Sequence, residues 1–108
     1  MCSILGAACN YESDIGNDLI SKINHTLHHR GPDGNGIKHS RNVVFAHNRL
    51  SIIGPKEEYS EQPLKTNGKM LTFNGEIYNY KHVSSLLRND GISCGEKSDT
   101  EVLFKSLM

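Results

Sequence analysis

Apolar side chains fall into a few short groups with different spacings. Residues 3–9 are apolar or small without a break, which predicts a buried strand. Ile15, Leu19, Ile23 and Leu27 recur every fourth position. That spacing predicts one face of an amphipathic helix running to about His28, with Ser13 or Asp14 as its cap. Residues 43–53 are rich in β-branched and aromatic side chains and predict a strand. Residues 70–73 predict a shorter strand ending at Asn74-Gly75, and residues 79–89 a second helix closed by Gly91. Residues 92–94 suit a brief strand. Ser98-Asp99-Thr100-Glu101 has the form of a capping box, followed by Val102, Leu103, Leu107 and Met108 at helical spacing.

Between these groups the chain is polar. Residues 29–36, including Arg30-Gly31-Pro32-Asp33-Gly34-Asn35-Gly36, predict a turn-rich loop. Residues 54–68 predict a polar connection, in which Asn67-Gly68 fits a tight hairpin turn. Strands alternating with helices predict an α+β or layered α/β domain. The last helical pattern runs to Met108 with no Gly or Pro terminator, so the chain is expected to be part of a larger domain.

Composition narrows the possible functions. The 108 residues carry 12 basic and 12 acidic side chains, and a neutral balance argues against a dedicated nucleic-acid binder. No apolar run approaches the ~20 residues of a membrane span. The N-terminus has no basic region and apolar core of a secretory signal, so a cytoplasmic location is expected. Cys2, Cys9 and Cys94 are odd in number and form no CxxC pair, which speaks against a disulfide framework or zinc ribbon. Cys9 and Cys94 are expected as small buried hydrophobes. Gly31, Gly34 and Gly36 lack the Rossmann and P-loop spacings. His28-His29 is adjacent in sequence and does not converge as a metal pair, so no metal site is expected.

Cys2 stands apart because of its position. Removal of Met1 leaves a residue with both a thiol and a free α-amine. Such an amine titrates near ~7.7–8.0 and can act as base for its own side chain.

Taken in order, Met1-Cys2-Ser3-Ile4, His29-Arg30-Gly31-Pro32-Asp33-Gly34, Ala46-His47-Asn48-Arg49-Leu50-Ser51-Ile52, Gln62-Pro63, Phe73-Asn74-Gly75-Glu76-Ile77-Tyr78-Asn79 and Ser98-Asp99-Thr100-Glu101-Val102 closely resemble the glutaminase domain of glutamine-hydrolysing asparagine synthetases. That domain is a class II glutamine amidotransferase of the N-terminal-nucleophile (Ntn) hydrolase type. The resemblance covers essentially the whole chain. It implies an α/β/β/α sandwich of two stacked sheets between helix layers, of which residues 2–108 form only the N-terminal part.

The resemblance also implies a chemistry. The Cys2 thiol attacks the glutamine side-chain amide, its own amine moves the proton, and a thioester forms as ammonia leaves. Asn74 and Gly75 supply the oxyanion hole. Arg49 binds the α-carboxylate of glutamine, and Asp99, with Glu76, receives the α-ammonium. The backbone near Ile52 and Ser51 lines the pocket, and Arg30, Gly31, Pro32 and Asp33 shape it. The ammonia is expected to serve the amidation of aspartate. Alternatives are an amidotransferase with a different acceptor and a truncated, non-catalytic remnant. No cofactor is expected in this chain; ATP and Mg²⁺ belong to a synthetase domain that is absent from it. Glutamine and that synthetase region, or a partner completing the fold, are the expected partners, with no nucleic acid and no membrane. The isolated chain is expected to be weakly active or inactive.

Overall fold

The computed structural model describes residues 2–9, 16–50 and 61–108. Its larger sheet has three strands, β1 (Ser3–Ala8), β2 (Gly34–Ser40) and β3 (Val43–Arg49), in the order β1-β3-β2. Both pairings are antiparallel, with Ser3 opposite Asn48 and Gly34 opposite Arg49. Alternation along the strands then gives each face its residues. One face carries Leu5, Ala7, Ile37, Val44 and Ala46 and packs on Ile20 of α1 (Asn17–Thr26), forming the apolar core. The other face carries Ile4, Phe45, His47 and Arg49.

The sequence reading of α1 needs correction on two points. Its N-cap is Gly16, without a side-chain cap, while Ser13, Asp14 and Ile15 lie outside the described residues. The face turned to the sheet holds Ile20 and Asn24, whereas Leu19 is 58% and Ile23 39% exposed. The reason is polar. Asn48 projects from the end of the central strand toward α1 and needs an amide partner there, and Asn24 provides it at 2.8 Å. Leaving a buried amide unpaired costs about 1–3 kcal/mol, enough to outweigh a modest gain from turning an apolar stripe inward.

β2 is a second correction, because residues 34–36 were expected to be loop. A one-turn 3-10 helix, His28–Arg30, precedes it, and a two-residue turn at Arg41-Asn42 joins it to β3, with Arg41 at φ 51°. Asn42 also closes the end of β1: its side chain donates to the Cys9 carbonyl at 2.5 Å and its own carbonyl accepts from Cys9 N–H at 2.9 Å. β3 stops at Arg49, short of the predicted residue 53, and residues 51–53 lie outside the described set.

A second, two-stranded sheet joins β4 (Leu64–Thr66) to β5 (Lys69–Leu71). Its turn is Asn67-Gly68 as expected, with φ of 48° and 74°, the paired positive values of a type I′ hairpin turn. β4 lies inside the stretch predicted as polar connection, and β5 ends two residues before Phe73.

The two C-terminal helices, α2 (Tyr80–Asn89) and α3 (Asp99–Ser106), pack together. Gly91 follows α2 with φ 80°. No strand forms at residues 92–94. Instead Ser84 of α2 donates to the Gly95 carbonyl at 2.9 Å and Glu101 of α3 accepts from Gly95 N–H at 3.1 Å. The segment is thereby pinned between the helices, with Cys94 buried among them. Ser98 caps α3 by accepting from Glu101 N–H at 3.4 Å. Glu101 does not complete the predicted box, since its carboxylate serves Gly95 and Lys105. No helix among the described residues is long and apolar enough to cross a membrane.

Candidate active site

β3 places the first half of the site. The Ser3–Asn48 pair is the last ladder pair between β1 and β3, and one step beyond it stand Cys2 on one strand and Arg49 on the other. Ser3 and Asn48 face α1, so Cys2 and Arg49 fall on the opposite face. The Cys2 thiol is half-buried, and its Sγ accepts from the Leu50 backbone N–H at 3.3 Å. This contact takes the place of the next ladder bond.

On the other side of β3, the Arg30-Gly31-Pro32-Asp33 turn is pressed against the strand. A Cβ on Gly31 would lie 2.4 Å from the Asn48 carbonyl oxygen and 2.6 Å from Arg49 N, so only glycine fits this approach. Asp33 N–H donates to the Arg49 carbonyl at 3.0 Å. The result is a cleft of about 280 Å³ lined by Asp33, Gly34, Asn35, His47, Arg49, Glu61 and Gln62. A guanidinium fork in such a cleft is suited to a carboxylate.

His47, two residues before Arg49 on the same face, lies in the Ala46–Ile52 motif, whose resemblance implies no role for it. It is 1% exposed, and its Nε2 has no hydrogen-bond partner among the described residues. Burial pushes its imidazole below the ordinary 6.5; a hydrogen bond with the Phe73 backbone opposes this, and the Arg49 charge adds to it. A neutral ring beside a fixed positive charge follows. The signal available in the sequence was period two, since His47 and Arg49 must share a strand face.

The second half of the site hangs on Phe73. Its N–H donates to the Gln62 Oε1 at 2.6 Å. Gln62 in turn lies over β2, where a Cβ on Gly36 would come 2.2 Å from the Gln62 carbonyl oxygen. Asn74, Gly75 and Glu76 follow Phe73 as an exposed turn. The Phe73 ring packs on the Gly75 backbone so closely that an added Cβ would meet it at 2.9 Å. Asp99, at the start of α3, reaches across to accept from the Ile77 N–H at 3.0 Å.

Of the residues singled out in the sequence, Cys2 and Arg49 share one end of β3, and Asp99 reaches the Glu76-Ile77 turn. The two groups are linked through His47, Gln62 and Phe73; no hydrogen bond joins Cys2 or Arg49 directly to Asn74, Gly75, Glu76 or Asp99. Ile52 lies outside the described residues, as does Ser51. Among the described residues no three His, Cys, Asp or Glu side chains gather as metal ligands.

The family described as "Glutamine amidotransferase domain" matches residues 1–108. The chain is similar to an asparagine synthetase [glutamine-hydrolyzing] of Triphysaria versicolor, 36% identical over 102 residues, covering 92% of this chain and 17% of that protein. With asparagine synthetase [glutamine-hydrolyzing] 1 of Bacillus subtilis (strain 168) the identity is 42% over 88 residues, covering 80% and 14%. With asparagine synthetase [glutamine-hydrolyzing] 1 of Arabidopsis thaliana it is 35% over 106 residues, covering 95% and 18%. The chain thus spans less than a fifth of the length of these relatives. The chain belongs to the glutamine amidotransferase domain family.

Proposed function

We propose that this chain carries the glutamine-hydrolysing step of an asparagine synthetase. The observation that carries the reading is the meeting of Cys2 and Arg49 at one end of β3, beside a cleft sized for a small polar molecule. Arg49 holds the α-carboxylate of glutamine by a two-pronged contact. Asp99 and Glu76 take the α-ammonium.

The Cys2 sulfur then attacks the side-chain carbonyl carbon, and the Cys2 α-amine accepts the thiol proton. The negative charge on the carbonyl oxygen is met by the Asn74 amide and the Gly75 N–H, both uncharged donors. Collapse expels ammonia, which leaves with the proton returned by the amine. Water, activated by the same amine, cleaves the thioester to glutamate and regenerates the thiol.

The names of the relatives support aspartate as the acceptor of the ammonia. ATP and Mg²⁺ are assigned to a synthetase region, the proposed partner of this domain, and none to this chain. Three cysteines without a disulfide among the described residues fit a reducing compartment, and the cytoplasm is the proposed location.

Intact mass of the chain before and after exposure to a chloroketone analogue of glutamine tests the reading. The expected result is loss of Met1 and one adduct on Cys2, prevented by excess glutamine. An adduct elsewhere, or one that glutamine does not prevent, overturns it.

A further inference from the structure

Ser3, Asn24 and Asn48 are polar, buried, and set in the apolar interface between α1 and the sheet. Asn48 Nδ2 donates to Asn24 Oδ1 at 2.8 Å, to the Asn24 carbonyl at 3.1 Å and to Ser3 Oγ at 3.0 Å. Asn24 Nδ2 returns a bond to Asn48 Oδ1 at 3.3 Å, and the Ser3 hydroxyl donates to the Leu27 carbonyl at 3.4 Å. The network is closed, with every side-chain polar atom in it partnered.

Stability alone does not call for such a cluster. Replacing both partners of a buried hydrogen bond with apolar groups of similar shape is often neutral or stabilising. What a hydrogen-bonded set adds over an apolar one is direction, because it is satisfied in one geometry only. The location gives that direction a use. Ser3 immediately follows Cys2 at the open end of the ladder, and Asn48 immediately precedes Arg49. The network ties these two strands to each other and to the Asn24–Leu27 turn of α1 just behind the residues that, on the proposed function, attack glutamine and hold its carboxylate.

We propose that Ser3, Asn24 and Asn48 are positioning residues that fix the spacing between the Cys2 thiol and the Arg49 guanidinium from the back of the sheet. The inference rests on the glutamine-hydrolysing reading. Neither Ser3 nor the asparagine pair touches the substrate. They act through the strand ends, and the quantity they set is selectivity of Cys2 for a glutamine-shaped electrophile over a small one.

The test compares two rates of Cys2 modification, by the chloroketone analogue of glutamine and by iodoacetamide, each read by peptide mass so that Cys9 and Cys94 are counted separately. The variants are Ser3→Ala, Ser3→Thr and the double variant Asn24→Leu/Asn48→Leu, each measured well below its melting temperature. A misplacement of about 1 Å at a reacting centre can cost about 10²-fold, and a smaller one costs less. Ser3→Ala and the double variant are therefore expected to lower the chloroketone rate about tenfold and leave the iodoacetamide rate within about twofold, with Ser3→Thr near the parent. A role confined to stability would shift melting and leave the ratio of rates unchanged, and that result in Ser3→Ala overturns the inference while glutamine binding stands. If the double variant does not fold, Ser3→Ala and Ser3→Thr decide. If the parent chain itself reacts no faster with the glutamine analogue than with iodoacetamide, the proposed function fails and this inference with it.

Discussion

The Asp99 carboxylate accepts a hydrogen bond from the Ile77 backbone N–H at 3.0 Å, fastening the start of α3 to the turn that carries Asn74, Gly75 and Glu76. One oxygen is thereby committed to structure; on the proposed function, the charge serves the α-ammonium of glutamine. The two roles separate by substitution. Asn at position 99 keeps an acceptor for Ile77 and removes the charge; Ala removes both. Asp99→Asn is expected to weaken protection of Cys2 by glutamine about 10-fold or more, since a hydrogen bond to a charged group contributes about 1.5–3 kcal/mol, with stability nearly unchanged. Asp99→Ala is expected to lose the same protection and about 1 kcal/mol of stability besides, from the abandoned N–H. Urea denaturation and competition by glutamine give the two readouts.

Asn74 is exposed. Asn74→Ala is expected to leave the urea midpoint unchanged. If its amide stabilises the oxyanion, ammonia release from glutamine falls about 10²-fold or more, the usual effect of losing one such donor. A loss of glutamine affinity with the rate at saturation unchanged would instead mark a binding role.

Gly31 and Gly16 make a contrasting pair. At Gly31 a methyl group meets the Asn48 carbonyl, which belongs to the central strand and cannot move aside. Gly31→Ala is expected to cost at least ~2–3 kcal/mol. At Gly16 nothing lies within 4 Å of an added Cβ, and the residue is the N-cap of α1 without a side-chain bond. Gly16→Ser is expected to stabilise by a few tenths of a kcal/mol. Opposite shifts of the denaturation midpoint check both.

His47 makes stability depend on pH. Its folded pKa is depressed by burial from the ordinary 6.5, so at mildly acidic pH the unfolded chain binds a proton that the folded chain refuses. The contribution is fully present above the unfolded value and is lost as pH falls beneath it. The steepest possible slope is about 1.4 kcal/mol per pH unit. His47→Phe removes both this proton and the unpartnered Nε2. The difference in stability between parent and variant is expected to be flat above pH ~6.5 and to favour the variant increasingly below it. A difference independent of pH from 5 to 8 would contradict the assignment.

What could be read from the sequence was local. Asn67-Gly68 announces its turn because only a few residue types tolerate two positive φ angles in succession. Ser98 announces α3 because an isolated hydroxyl before a helical pattern has one obvious acceptor role. β2 was hidden because Gly34, Asn35 and Gly36 carry turn-forming character. They are strand residues here through pairing with β3, and Gly36 is small because Gln62 crosses over it. The orientation of α1 was hidden for a related reason. A hydrophobic stripe ranks residues by their own polarity, whereas Asn24 is buried by a partner 24 positions away. The same holds at the site. The motifs named Cys2, Arg49, Asn74, Gly75, Glu76 and Asp99, but the link from β3 through His47 and Gln62 to Phe73 is made by tertiary contacts that no spacing encodes.

The ladder that holds Cys2 also sets when the site can exist. β2 and β3 are joined by two residues and can pair as soon as both are made, a closure of microseconds. β1 must instead find β3 across a loop that separates Ser3 from Asn48 by 45 positions, and a longer loop costs more entropy to close and closes later. During synthesis the Cys2 thiol is made well before the strand that seats it. Until β3 has emerged and paired, it has neither Leu50 to hold it nor Arg49 beside it. The seating of the Cys2 thiol therefore waits on the longest-range pairing of the sheet.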